Sequence, residues 1–272
     1  MKANYIARFA IATGVIFSGV HANATLLFQE GFDYTSGSLG GNVNPGSGLA
    51  WEPGNSGLTI GSSSLSYSGL QTLSGNELSV AWGSSGSATN SFSNVTSGQI
   101  YYSFLLNVTT VAGANDYLTA LNPGAAAPGG SSDAIDCYLY SNGKLGLRTA
   151  GESTVTTSTA LSLDTTYMVV LEYNFATTTA SLYLDPTIGD SQPTATLTLA
   201  GSGTVSSIDD VGFKSQSTTG DFDVGNLLIG TTWADVTPEA DATPEPGTLS
   251  LLGAGAGLLT LIQCRRVRGK IL

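Results

Sequence analysis

Glu172 is the one acid set in a strongly apolar run, Tyr167-Met168-Val169-Val170-Leu171-Glu172-Tyr173. Burial raises a carboxyl's pKa, so an acid in that setting has the property a proton donor needs. Glycoside hydrolysis asks for two carboxylates flanking the sugar bond, one of them held protonated. No second acid stands two or four residues from Glu172, so the pattern reads as a solvated residue near a strand end, and no catalytic residue is assigned. Asp209-Asp210 and the pair Asp221 and Asp223 are the other acids whose spacing suggests chemistry. Alternation along a strand puts Asp221 and Asp223 on one face, where they repel unless a cation or solvent screens them. Calcium takes such oxygens, and all four are candidate calcium ligands if their strands are neighbours; the other reading is solvated surface acids. No Asp-x-Asp-x-Asp-Gly loop supports the calcium reading. Trp51, Trp82 and Trp233 could stack on sugar rings or fill a core. Trp82 continues the alternating series Leu78, Val80 and is expected in the core. Trp51, in the Gly-Pro-rich stretch Asn44 to Gly57, is the best candidate for an exposed glycan platform, with burial under a loop as the equal alternative.

The chemistry that is missing narrows the field. His21 is the single histidine and precedes Thr25, so the middle of the chain holds no Ser-His-Asp or Cys-His nucleophile system and no His-ligated zinc. Between Thr25 and Thr243 the bases are Lys144, Arg148 and Lys214 against 19 acids, a balance of 3 − 19 = −16. A surface so negative repels phosphate backbones, which argues against nucleic acid as a partner. Cys137 and Cys264 are the two cysteines, and Cys137 falls in the apolar run Ala134 to Leu139. A small buried side chain is expected there, with no basic neighbour to lower its pKa.

The elements that must position these groups read as strands. Short apolar runs bounded by turn residues recur at Glu77 to Trp82, Gln99 to Val108, Ile135 to Tyr140, Thr166 to Tyr173, Ala180 to Leu184, Thr194 to Leu199 and Phe222 to Ile229. Tyr167 to Tyr173 is apolar on both faces for most of its length and reads as a central strand. Asn174 to Thr179 suits a hairpin loop to the next strand, and Asn142-Gly143 supplies a turn able to take positive φ. Residues 25–236 are therefore expected to form one all-β domain.

The two ends read as addresses. Residues 1–24 carry Lys2 and Arg8, an apolar run from Phe9 to Val20, and small residues at Ala22-Asn23-Ala24, the three parts of a secretory signal peptide cut after Ala24 by signal peptidase. At the other end, a linker over 237–247 contains Pro244-Glu245-Pro246. A transmembrane helix is expected over 248–264 and a basic tail over 265–272, with Arg265, Arg266 and Arg268. Basic residues after an apolar segment hold that end in the cytoplasm. The apolar stretch Leu249 to Ile262 rises only about 21 Å as a helix, short against a hydrocarbon core of about 30 Å. A short span suits a segment held briefly and then cut.

Pro244-Glu245-Pro246, the short Gly-rich apolar helix and the arginine cluster resemble, in that order, the PEP-CTERM sorting signal of Gram-negative bacteria. The resemblance implies recognition by an exosortase, a membrane cysteine transpeptidase. It also implies an inner-membrane intermediate and delivery to the cell surface or extracellular matrix. A second resemblance covers most of Leu26 to Val236. The opening Phe28-Gln29-Glu30-Gly31-Phe32-Asp33-Tyr34, the hairpin from Tyr167 through Tyr183 and the closing Asp221 to Val236 are similar to a concanavalin-A-like or LamG-like jelly roll. That family begins with a strand pairing near the last one. Asn226 stands where many relatives carry Glu or Asp. Jelly-roll hydrolases draw their acid pair from one strand as Glu-x-Asp-x-x-Glu, and no such string occurs here. Together these readings imply an exported, non-enzymatic surface or matrix protein in contact with exopolysaccharide, with a glycan-acting enzyme or a calcium-dependent lectin as the alternatives.

Overall fold

A computed structural model describes residues 25–53, 58–81, 85–111, 113–124, 127–216 and 220–240. The expected signal peptide, Trp82 and the whole of the expected sorting tail, with Pro244, Glu245, Pro246, Arg265, Arg266 and Arg268, lie outside them. Among the described residues no helix is long and apolar enough to cross a membrane.

The described chain is all-β, with antiparallel sheets throughout. In order the strands are β1 (Leu26–Glu30), β2 (Gly37–Ser38), β3 (Leu58–Ile60), β4 (Leu78–Val80), β5 (Gly86–Val95), β6 (Gln99–Val108), β7 (Asp116–Asn122) and β8 (Ile135–Leu139). They continue as β9 (Leu145–Arg148), β10 (Val155–Thr156), β11 (Thr166–Asn174), β12 (Thr179–Leu184), β13 (Leu197–Ala200), β14 (Ile208–Ser215) and β15 (Phe222–Gly230), followed by one helical turn, α1 (Trp233–Val236). A nine-stranded sheet runs β13-β12-β11-β6-β15-β4-β3-β2, with β1 also on β15. A six-stranded sheet runs β10-β9-β8-β7-β14-β5. Apolar residues of both sheets form one core, in which Tyr102 of β6 and Thr119 of β7 share a hydrogen bond of 2.8 Å across the interior. The fold is thus a β-sandwich.

The long apolar runs became the central strands because only a strand covered on both faces can bury side chains in both directions. β6 and β11 pair over their whole length, from Thr166 opposite Asn107 to Asn174 opposite Gln99. The expected hairpin is present as β11 and β12, and the first strand does pair with the last, Leu26 to Glu30 lying against Gly230 to Leu227. Gly143 turns between β8 and β9 at φ +76°.

β15 is shared by two partners on one edge: β4 pairs with Phe222 to Val224, and β1 with Leu227 to Gly230. The register shifts between Gly225 and Leu228, and there Asn226 takes φ +48°. Asn tolerates this left-handed conformation better than most residues. Its side chain is spent on the turn that crosses the junction, with Oδ1 accepting from the Leu73 N–H at 2.6 Å. Asn226 is a joint between strands.

The folded unit runs past Val236, where the linker was expected to begin. Gln71 N–H donates to the Pro238 carbonyl and Ala240 N–H to the Gly69 carbonyl, both at 2.8 Å, so Thr237 to Ala240 is strapped to the turn around Leu70.

Candidate functional site

The face of the nine-stranded sheet turned away from the main core carries its own side-chain layer. Tyr101 and Leu105 from β6, Met168 and Val170 from β11, Tyr183 from β12 and Leu228 from β15 pack there with Leu70, Val236 and Trp233. Glu172 belongs to this layer. The expectation of a solvated acid is corrected: Glu172 is 6% exposed. Register places it directly opposite Tyr101 on β6 and one diagonal step from Tyr183 on β12. Period-2 alternation starting from Met168 would have put Glu172 on the same face as Val170 and Met168, and that was the available signal.

Every hydrogen bond Glu172 makes is accepted. Gln99 Nε2 donates to Oε1 at 2.6 Å, while Tyr183 Oη at 2.6 Å and Gln192 Nε2 at 2.8 Å donate to Oε2. The Gln192 amide also donates to the Tyr183 hydroxyl and accepts from Tyr101 Oη at 2.9 Å. Burial pushes the Tyr101 phenol up to about 12, with the Glu172 charge adding to it. Burial, then the bond to Glu172, raises Tyr183 as well. Both phenols are therefore held as neutral donors. Trp233 closes one side, its ring edge-on to Tyr101 at 6.2 Å and to Tyr183 at 5.0 Å. Its buried indole N–H has no acceptor among the described residues. Thr232 and Asp235 hold Trp233 in place through a reciprocal cap on α1, with Thr232 N–H donating to Asp235 Oδ2 at 2.8 Å. One carboxylate, two phenols, two amides and an indole thus meet at one patch, an arrangement suited to binding a ligand rich in hydroxyl or amide groups.

The other expected site residues stand elsewhere. Trp51 is fully buried, so of its two readings the glycan platform falls and burial stands. The cause is Glu30, which alternation on β1 turns inward beside Phe28. Trp51 Nε1 at 2.9 Å, Asn44 Nδ2 at 2.9 Å and Tyr34 Oη at 2.6 Å all donate to Glu30 Oε2, and Phe32 N–H donates to Oε1 at 2.6 Å. Phe28, Phe32 and Phe213 pack around the indole.

The four acids considered for calcium are not brought together. Asp209 and Asp210 lie on β14 in the six-stranded sheet, Asp223 on β15 in the nine-stranded one and Asp221 just ahead of it. Asp209 accepts from Gly124 N–H, Asp210 from Ser91 Oγ and Asp223 from Ser79 Oγ. The Asp221 carbonyl accepts from Thr109 and Thr110 N–H. No group of three or more acidic, His or Cys side chains placed to hold a metal occurs among the described residues. Cys137 is buried, and burial raises its thiol.

A second polar cluster lies on the outer face of the six-stranded sheet. Lys214 Nζ sits 4.6 Å from the centre of the Tyr117 ring and Arg148 Cζ 5.7 Å from both Tyr117 and Tyr138. Lys214 donates to the Pro128 carbonyl at 3.0 Å and Arg148 to that of Gly130 at 2.7 Å. Arg148 also pairs with Asp136. Two of the three bases of the middle stretch are therefore spent on fastening the segment ahead of β8 to its sheet.

No protein-family model matches the chain, and no curated protein matches it. Solved structures do. A sialidase matches at 12% identity with a TM-score of 0.43, over 63% of this chain and 17% of that one. Trypanosoma rangeli sialidase in complex with the inhibitor DANA matches at 14% and 0.42, over 60% of this chain and 26% of that one. The T. cruzi calreticulin globular domain matches at 12% and 0.42, over 70% of this chain and 84% of that one. The chain therefore spans well under a third of the two sialidases. One expectation is corrected by this comparison. The domain was read as non-enzymatic, and the structures it matches include sialidases, so that reading is withdrawn.

Proposed function

We propose that the chain is an exported protein, sorted through its C-terminal PEP-CTERM signal and left at the cell surface or in the extracellular matrix. There its domain, a concanavalin-A-like jelly roll, contacts a glycan at the Glu172 patch. The observation that carries the glycan part is the convergence of Glu172, Tyr101, Tyr183 and Gln192 beside Trp233, the mixture of fixed donors, acceptors and ring edges that a hydroxylated ligand requires. What supports the sorting part is the order of Pro244-Glu245-Pro246, apolar Leu249 to Ile262 and Arg265, Arg266 and Arg268. Signal peptidase and an exosortase are the partners during export, exopolysaccharide the partner afterwards.

Two measurements test the two parts. Mass spectrometry of the mature protein from its native host should find a C-terminus near Pro244-Glu245-Pro246, and an intact Leu272 refutes the sorting reading. A glycan array probed with the full chain in detergent should give signals lost on Trp233→Ala. An array with no signal refutes the glycan reading.

A further inference from the structure

Gln192 is bound the way a ligand would be. It lies in the connection between β12 and β13, where Gly189 to Thr194 are all exposed. Its side chain nevertheless reaches down to the sheet and has all of its amide chemistry answered there. The carbonyl oxygen accepts from Tyr101, and the amino group donates to Glu172 and Tyr183. The answering groups sit on three adjacent strands, β6, β11 and β12, and are 3%, 6% and 5% exposed for Tyr101, Glu172 and Tyr183. The receptor is rigid and buried; the occupant hangs from an exposed connection that turns at Gly189, φ +85°.

Glu172 does not need Gln192 to stay in place, since Gln99 and Tyr183 hold its two oxygens independently. The patch also offers more than Gln192 uses, because the buried indole N–H of Trp233 finds no acceptor among the described residues. Buried donors are seldom left so.

Resting on the glycan reading above, we propose that Gln192 is a built-in stand-in for an acetamido group, and that the patch recognises an N-acetylated amino sugar that displaces it. An acetamido carbonyl would accept from Tyr101 and its N–H would donate to Glu172, the two roles the Gln192 amide fills. The methyl would lie against the ring edges of Tyr183 and Trp233, and a sugar oxygen would be available to the indole N–H. A hydroxyl in the same place can accept from the phenol and donate to the carboxylate through one oxygen, but it brings no methyl to the ring edges of Tyr183 and Trp233, so the acetylated sugar is selected over its plain counterpart.

The experiment is calorimetric titration of the full chain in detergent with di-N-acetylchitobiose, with cellobiose as the unacetylated control. If the self-occupied state holds 90% or more of the molecules, removing the occupant by Gln192→Ala tightens binding of the acetylated disaccharide by about tenfold or more. Cellobiose should stay weak, and Tyr101→Phe in the Gln192→Ala background should cancel the gain. Equal binding of di-N-acetylchitobiose by wild type and Gln192→Ala, or equal tightening toward cellobiose, overturns the proposal. Limited proteolysis of the unsubstituted chain gives a second measurement that does not depend on how a variant folds. The acetylated disaccharide should increase cleavage within 189–194, and unchanged or reduced cleavage also overturns the proposal. Array signals lost on Trp233→Ala but indifferent to acetylation would leave the glycan reading standing and remove this one. A silent array would remove both.

Discussion

Replacing Glu30 with Gln tests whether one buried carboxylate organises the Trp51 end of the sandwich. Three donors converge on Oε2 and one on Oε1, so an amide cannot satisfy all four. The cheaper orientation keeps oxygen toward Trp51, Asn44 and Tyr34 and turns the NH2 group against the Phe32 N–H. That takes the acceptor from the Phe32 N–H and sets two donors face to face, costing about 1–3 kcal/mol. The three retained bonds fall from charge-assisted to neutral strength, about 1 kcal/mol each. Relief from holding a charge in a site 2% exposed returns about 2 kcal/mol of this. The net is about 3 kcal/mol, which in a domain of this size lowers Tm by about 6–12 °C. Far-UV circular dichroism melts of the wild-type and Glu30→Gln chains give the number. A double cycle with Trp51→Phe should be non-additive, because both changes break the same bond. A Tm within about 2 °C of wild type would show that the four contacts are not energetically linked.

Other consequences follow from single residues. Burial pushes the Asp210 carboxyl up to about 8, above an unfolded value of about 3.9. The folded state therefore binds its proton more tightly, and this contribution to stability is full below about pH 4 and lost as pH rises through about 8. Melts across that window should fall in Tm, and Asp210→Asn should flatten the fall; an unchanged slope refutes the assignment. Asn226→Gly keeps the left-handed backbone but loses the bond to Leu73, while Asn226→Ala loses both. Urea titration should rank Ala below Gly by about 1 kcal/mol, and the reverse order would mean the backbone is unstrained there. In a Cys264→Ser chain, Cys137 should resist a thiol reagent until denaturant is added, and fast labelling of native protein would contradict its burial.

How much of this was legible depended on whether a residue's partners were near in sequence. β6 was bounded correctly at Gln99–Val108, and the β11 to β12 hairpin was found, because apolar runs and alternation are local signals. β5 was invisible. Its polar string Gly86–Val95 has Asn90 buried, and that amide is satisfied by the Ser47 hydroxyl and the Leu49 carbonyl, contacts more than 40 residues away. β14 was hidden behind Asp209-Asp210, which read as solvated or metal-binding until pairing with β5 and β7 enclosed Asp210. The choice between burial and exposure for Trp51 stayed open for the same reason: Glu30, 21 residues earlier, decides where the indole goes. At the Glu172 patch, alternation could have turned the acid onto the Val170 face. No local pattern pointed to Gln192, which stands 20 residues on in an exposed connection.

The strap from Thr237 to Ala240 sets the length of the leash. Because the chain stays fastened to the turn at Leu70 until Ala240, the path from there to Leu249 can extend no more than about 30 Å. A sandwich of this size is roughly 40 Å across. On the proposed topology, cargo still joined to its tail cannot tumble freely above the bilayer. Under that proposal it would ride with one pole toward the lipid, and severing the tail would free its orientation as well as its position.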